Sequence, residues 1–161
     1  MAEYGIKQMF GDKITDTNTV AQNGLGVIRF EGEKAYRYVQ VVNLAAVAGD
    51  SLCAASTGEG VVTKDRAGGS QLALLVRGVA IGAIASGSYG WIQTKGIATI
   101  QCDGTIAAGD GVIPSATTDG VADACDVSTV STNTAFQVFG FALTADSGST
   151  NGTATAYINC P

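Results

Sequence analysis

Apolar and polar residues along this chain fall into short runs, and helical periodicity is nearly absent. The runs that alternate or are continuously apolar are GVIRF (26–30), YRYVQVV (36–42), SLCAA (51–55), GVVTK (60–64), QLALLVRGVAIGAI (71–84), YGWIQTKGIATIQ (89–101), GVIPS (111–115), AFQVFGFAL (135–143) and ATAYINC (154–160). Between them stand turn signals built from Gly, Asp, Asn and Ser: GEG, DRAGG, SGS, DG, AGDG, TTDG and DSGSTNG. Short runs bounded by such residues predict strands and hairpins. The alanine-rich NLAAVAGDSLCAAS is broken in its middle by Gly49 and Asp50, so it predicts no helix. Nine short strands in one chain of this length predict an all-β fold, a small β-sandwich or barrel.

The pattern also repeats. Shifted by sixty residues, AGDSLCAASTGEGV (48–61) lies over AGDGVIPSATTDGV (108–121), and six of the fourteen positions are identical. Val76-Arg77-Gly78-Val79-Ala80 resembles Val138-Phe139-Gly140-Phe141-Ala142, and Trp91-Ile92 resembles Tyr157-Ile158. The same features recur in the same order, so the expectation is two tandem similar β units, 36–93 and 97–159, within an all-β domain of residues 25–161. Residues 1–24, which include the aperiodic polar GDKITDTNTVAQNG, predict an N-terminal arm or lead-in.

Composition narrows the function classes. Hydrophobic residues make up 46% of the chain and charged ones 14%, which suits a buried core and excludes a disordered tail. The 22 glycines against two prolines fit many tight turns. The net charge of −5 and the scatter of nine basic residues, with Lys64 and Arg66 the densest pair, argue against a nucleic-acid groove. The run from Leu72 is shorter than the ~20 residues a membrane helix needs and is interrupted by Arg77. MAEYGIKQMFGDK has neither the basic nor the apolar region of a signal peptide, so synthesis in a cytoplasm is expected.

The candidate chemistry is thin. There is no histidine, which removes the Ser-His-Asp and Cys-His arrangements. Cys53, Cys102, Cys125 and Cys160 are far apart and without a CxxC, which favours isolated thiols over a zinc site and leaves a disulfide open. Gly24-Leu25-Gly26 and Gly58-Glu59-Gly60 lack the rest of a dinucleotide loop. Asp50, Asp103, Asp110 and Asp119 stand beside glycines, where an aspartate caps a turn. Asp119, Asp123 and Asp126 lack the spacing of a calcium loop and read as surface charge. Lys64 beside the DRAGG turn lacks the flanking pattern of a biotinyl or lipoyl attachment site. No catalytic residue, cofactor or metal is expected.

The aromatic residues group better than the charges. Tyr36 and Tyr38 share one strand face, as do Tyr89 and Trp91. Core packing is one reading of these four. The other is a contact patch, for an oligomer or another partner, since Tyr and Trp are enriched at interface centres.

GEKAYRYVQ, AGDSL, SYGWIQTKGIATI, AAGDGVIPSATTDG and FGFALTADSGSTNGTATAYINC together resemble, over residues 24–160, small structural proteins of tailed bacteriophages, and above all the head decoration or capsid cement proteins. The resemblance implies a non-enzymatic virion protein on the outer capsid surface, bound to the major capsid protein, often as a homotrimer, and stabilising the shell. The implied partners include neither nucleic acid nor membrane. The polar lead-in would then order on the capsid. Two other readings stand beside it: a virion-borne adhesin or carbohydrate-binding β module, and a small β hydrolase using a carboxylate pair.

Overall fold

The computed structural model describes residues 10–55, 58–65, 75–104, 106–125, 137–146 and 150–161. Its strands are β1 (Thr17–Asn18), β2 (Ile28–Glu31), β3 (Lys34–Val41), β4 (Ser51–Ala54), β5 (Val61–Thr63), β6 (Val76–Ala80), β7 (Tyr89–Asp103), β8 (Gly111–Pro114), β9 (Ala122–Ala124), β10 (Gly140–Ala142) and β11 (Thr150–Asn159). The all-β expectation holds. Residues 71–74 and 135–136 of two expected strands lie outside the described residues, as does everything before Phe10 in the arm.

The pairings close two five-stranded barrels that share β7. In the first, β3 pairs with β5, β5 with β4, β4 with β6, β6 with β7, and β7 with β3 again. In the second, β7 pairs with β9, β9 with β8, β8 with β10, β10 with β11, and β11 with β7 again. Each circuit has one parallel contact, β3–β5 and β7–β9, and the rest are antiparallel. Closure removes the sheet edges that would otherwise invite aggregation. The fifteen residues of β7 serve both barrels, and the strand passes from one to the other at Gly96. A Cβ there would meet the Glu33 carbonyl and the Lys34 side chain at 3.2 Å, and φ is +97°, so glycine is required.

Alternation along the strands fills each interior. Val39, Val41, Leu52, Val62, Ala80 and Ile92 occupy the first, with Ala46 and Ile84 from its loops. Ile100, Cys102, Val112, Ala122, Ala142, Ala154, Ala156 and Ile158 form the second, with Ile106. A small barrel of this kind is a packed core, and each buried Val, Leu or Ile contributes about 1.5–3 kcal/mol.

The two AGD turns occupy equivalent corners with matching hydrogen bonds. Asp50 Oδ2 accepts from Val47 N at 2.8 Å, and Asp110 Oδ2 from Ala107 N at 2.8 Å. Gly49 N donates to Ala80 O, and Gly109 N to Ala142 O, both at 2.8 Å. Gly49 has φ +90° and Gly109 φ +96°. One detail of the sequence comparison needs correction. Ala80 lies across from Ile92 and Ala142 across from Ala156, so Trp91 corresponds to Thr155 and not to Tyr157. β9 lies in none of the expected runs, because its three residues are too few for alternation to mark it.

All four cysteines are thiols. Cys102 is fully buried, and burial first, then the charge of Asp146, pushes its pKa up to about 11; burial pushes Cys160 up to about 12. An unfolded thiol ionises near 9, so the folded state holds its proton longer. The contribution to stability is therefore complete below pH 9 and lost as pH rises toward 11. Chemical denaturation across that window is expected to show falling stability, with a flatter slope in Cys102→Ala. An equal slope in that variant would assign the effect elsewhere.

Candidate interaction surface

The arm covers the outer face of the first barrel. Outward-pointing Tyr36, Tyr38 and Trp91 form a cluster against which Phe10, Ile14, Val27, Ile81 and Tyr89 pack. The Phe10 and Trp91 rings meet edge to face at 5.2 Å, as do Tyr38 and Trp91, while Tyr89 stacks on Tyr38 at 6.4 Å. Asp12 ties the arm down: its Oδ2 accepts from Trp91 Nε1 at 2.8 Å and from Asn23 Nδ2 at 2.9 Å. Arg29 donates to the Asp12 carbonyl at 2.7 Å and lies over the Phe10 ring at 5.5 Å. Tyr38 Oη accepts from Gln22 N at 3.0 Å. Burial, reinforced by Glu31 and opposed by Arg29, raises the Tyr36 pKa.

Of the two readings of Tyr36, Tyr38, Tyr89 and Trp91, this arrangement matches packing. Tyr36, Tyr38 and Trp91 are buried under the chain's own arm and Tyr89 is partly buried, so their surface is already used. The arm is polar overall, but its few apolar side chains land on this cluster.

Among the described residues, no arm covers the same face of the second barrel; only the Ala48–Gly49 turn reaches it, at Gln101. By strand register, Ile97 corresponds to Tyr36, Thr99 to Tyr38, Thr155 to Trp91, Phe141 to Val79 and Tyr157 to Gln93. Phe141 lies directly across from Tyr157, and Tyr157 across from Ile97. These three are 58%, 41% and 50% exposed, and Leu143 beside them is 48% exposed. Their counterparts Val79, Gln93 and Tyr36 are buried. The neighbours on this face are Thr99, Gln101, Thr153, Thr155 and Asn159, with Lys95 as the nearest charge along β7 and β11. A contiguous uncharged apolar stripe on an acidic protein is the signature of a contact surface.

The aspartates serve the fold. Asp103 accepts from Ser115 Oγ at 3.5 Å and from Thr118 Oγ1, closing the turn before β9. Asp50 also holds Lys64 Nζ at 3.0 Å, so that lysine is in an ion pair. Asp126 lies outside the described residues, and among those described no three His, Cys, Asp or Glu side chains converge on a metal position. The arrangement offers binding surface more than reactive groups.

No protein-family model matches the chain, and no curated protein matches it. Among solved structures, the chain is similar to the N-terminal base of the head fibre protein gp8.5 of bacteriophage phi29. The two are 16% identical with a TM-score of 0.49, and the match covers 78% of this chain and 94% of that one. At that level of similarity neither fold nor role passes from one protein to the other.

Proposed function

We propose that this protein is a structural component of a bacteriophage virion that decorates the outer capsid surface as a homotrimer, its second barrel supplying the contact face. The observation that carries the reading is the stripe of Ile97, Phe141, Leu143 and Tyr157, exposed among the described residues, whose counterparts Tyr36, Val79 and Gln93 on the first barrel are buried, Tyr36 against the arm. The same chain thus contains a covered and an uncovered version of one face. The resemblance of its strand and turn sequences to capsid decoration proteins names the partners: other copies and the major capsid protein. The reading also takes residues 36–93 and 97–159 as a tandem duplication.

The test is a Phe141→Asp, Tyr157→Asp double variant. Both side chains are exposed, so the fold survives and circular dichroism matches the wild type. Wild type is expected to be trimeric by light scattering and to bind expanded heads stoichiometrically, with density on the shell in cryo-electron microscopy. The variant is expected to lose more than about a hundred-fold in affinity, as buried aromatic hot spots each contribute about 2 kcal/mol or more. A variant that trimerises and binds heads like wild type overturns the assignment. The adjacent exposed rings of Phe141 and Tyr157 also favour a second reading, an adhesin in which a sugar ring stacks on them. Glycan binding lost in the same variant, with no density on heads, would select that one.

A further inference from the structure

We infer that the open end of the first barrel binds an oxyanion, a carboxylate or phosphate group held between Arg37 and Arg77. Both arginines line a cavity of about 380 Å³, together with Ala54, Ala55, Glu59 and Val62. Neither guanidinium has an ion pair or hydrogen bond among the described residues, whereas Arg29 and Lys64 each have a carboxylate partner. Burial lowers the pKa of Arg37, and Arg77 lowers it further, against smaller opposing effects of Cys160 and Glu59. Two guanidiniums close enough to feel each other therefore share one concave site with a single acid, Glu59, among its described lining residues.

The second barrel shows what this end looks like without charge. Arg37 corresponds to Ala98, and Arg77 to Phe139 in the matching VRGVA and VFGFA segments. Ala98 and Phe139 are both buried in the core of their barrel. The first barrel thus has two like charges where its twin has an apolar plug, and that exchange works against folding through desolvation and repulsion. An oxyanion reverses the sign, because it accepts paired N–H bonds from a guanidinium fork and neutralises the repulsion. Chloride, a single spherical acceptor, cannot supply the two parallel acceptor oxygens and is held more weakly. The site sits on the first barrel and so does not rest on the contact face proposed above.

Thermal unfolding of the full chain at constant ionic strength, with sodium phosphate, sodium citrate or sodium chloride, tests the inference. Phosphate or citrate is expected to raise the melting temperature saturably while chloride does not, and the stronger of the two identifies the oxyanion class. Arg77→Phe, which installs the twin's residue, is expected to melt at or above unliganded wild type and to lose the response. Arg37→Met is expected to lose it too, and line broadening of the ³¹P signal of phosphate, or isothermal titration with citrate, reads wild type directly. Equal shifts in all three salts, or an undiminished response in Arg77→Phe, would overturn the assignment.

Discussion

Trp91→Ala is expected to remove about 3–5 kcal/mol of stability, the usual cost of emptying a buried tryptophan site, and to release the arm. The indole is central to the cluster: Phe10 meets one side, Tyr38 another, and its N–H is bonded to Asp12. Losing it leaves a cavity against Tyr36 and Tyr38 and deprives the Asp12 carboxylate of a donor. Denaturant unfolding measures the first effect, and limited proteolysis within residues 10–27 the second. Asp12→Asn separates the two contributions, because it keeps the shape and weakens only the tie, at about 1 kcal/mol. If Trp91→Ala unfolds more readily yet its arm is cut no faster than wild type, something other than this cluster holds the arm.

The strands and the turn aspartates were legible because period-two alternation and glycine placement are local signals. Coverage is not local. Alternation puts Tyr36 and Tyr38 on one face, but which face is covered depends on Phe10 and Ile14, in an arm without periodicity, together with Val27. The patch reading therefore fell on the covered barrel, while Ile97, Phe141 and Tyr157, in an equally apolar stretch, are the exposed ones. Barrel closure was hidden for a similar reason: the parallel contacts β3–β5 and β7–β9 involve only one or two residue pairs each. The match of VRGVA to VFGFA is visible in the sequence and shares Gly78 and Gly140. A Cβ on either would fall 2.7 or 2.6 Å from a backbone carbonyl of the next strand, which explains why both are glycine. The difference at Arg77 and Phe139 acquires meaning only once both are placed at the same end of equivalent barrels.

The two AGD turns give the sharpest internal control, because the same aspartate has two surroundings. Asp110→Ala is expected to cost about 1 kcal/mol, since it removes one turn bond to Ala107 N at a partly exposed site. Asp50→Ala removes the same bond to Val47 N and more besides. Asp50 is buried and paired with Lys64, which is itself largely covered, so deletion strands a charge at a cost of about 3–5 kcal/mol. The damage also reaches the contact between barrels. Gly120 of the second barrel sits so close to Asp50 that a Cβ there would lie 2.9 Å from the carboxylate, and its carbonyl accepts from Ser51 N at 2.6 Å and Ser51 Oγ at 3.0 Å. Gly49 O, one residue earlier, accepts from Gln101 N of β7 at 3.0 Å. The equivalent Gly60 of the first barrel packs against Leu25 and Gly26, so the segment just after the arm meets the first barrel at the turn position where the first barrel meets the second. Equal destabilisation by Asp50→Ala and Asp110→Ala in parallel urea melts would mean that both act only as turn caps. A cost for Asp50→Ala that falls when Lys64→Met is added would instead place the excess in the stranded lysine, and whatever excess remained would measure the docking of one barrel on the other.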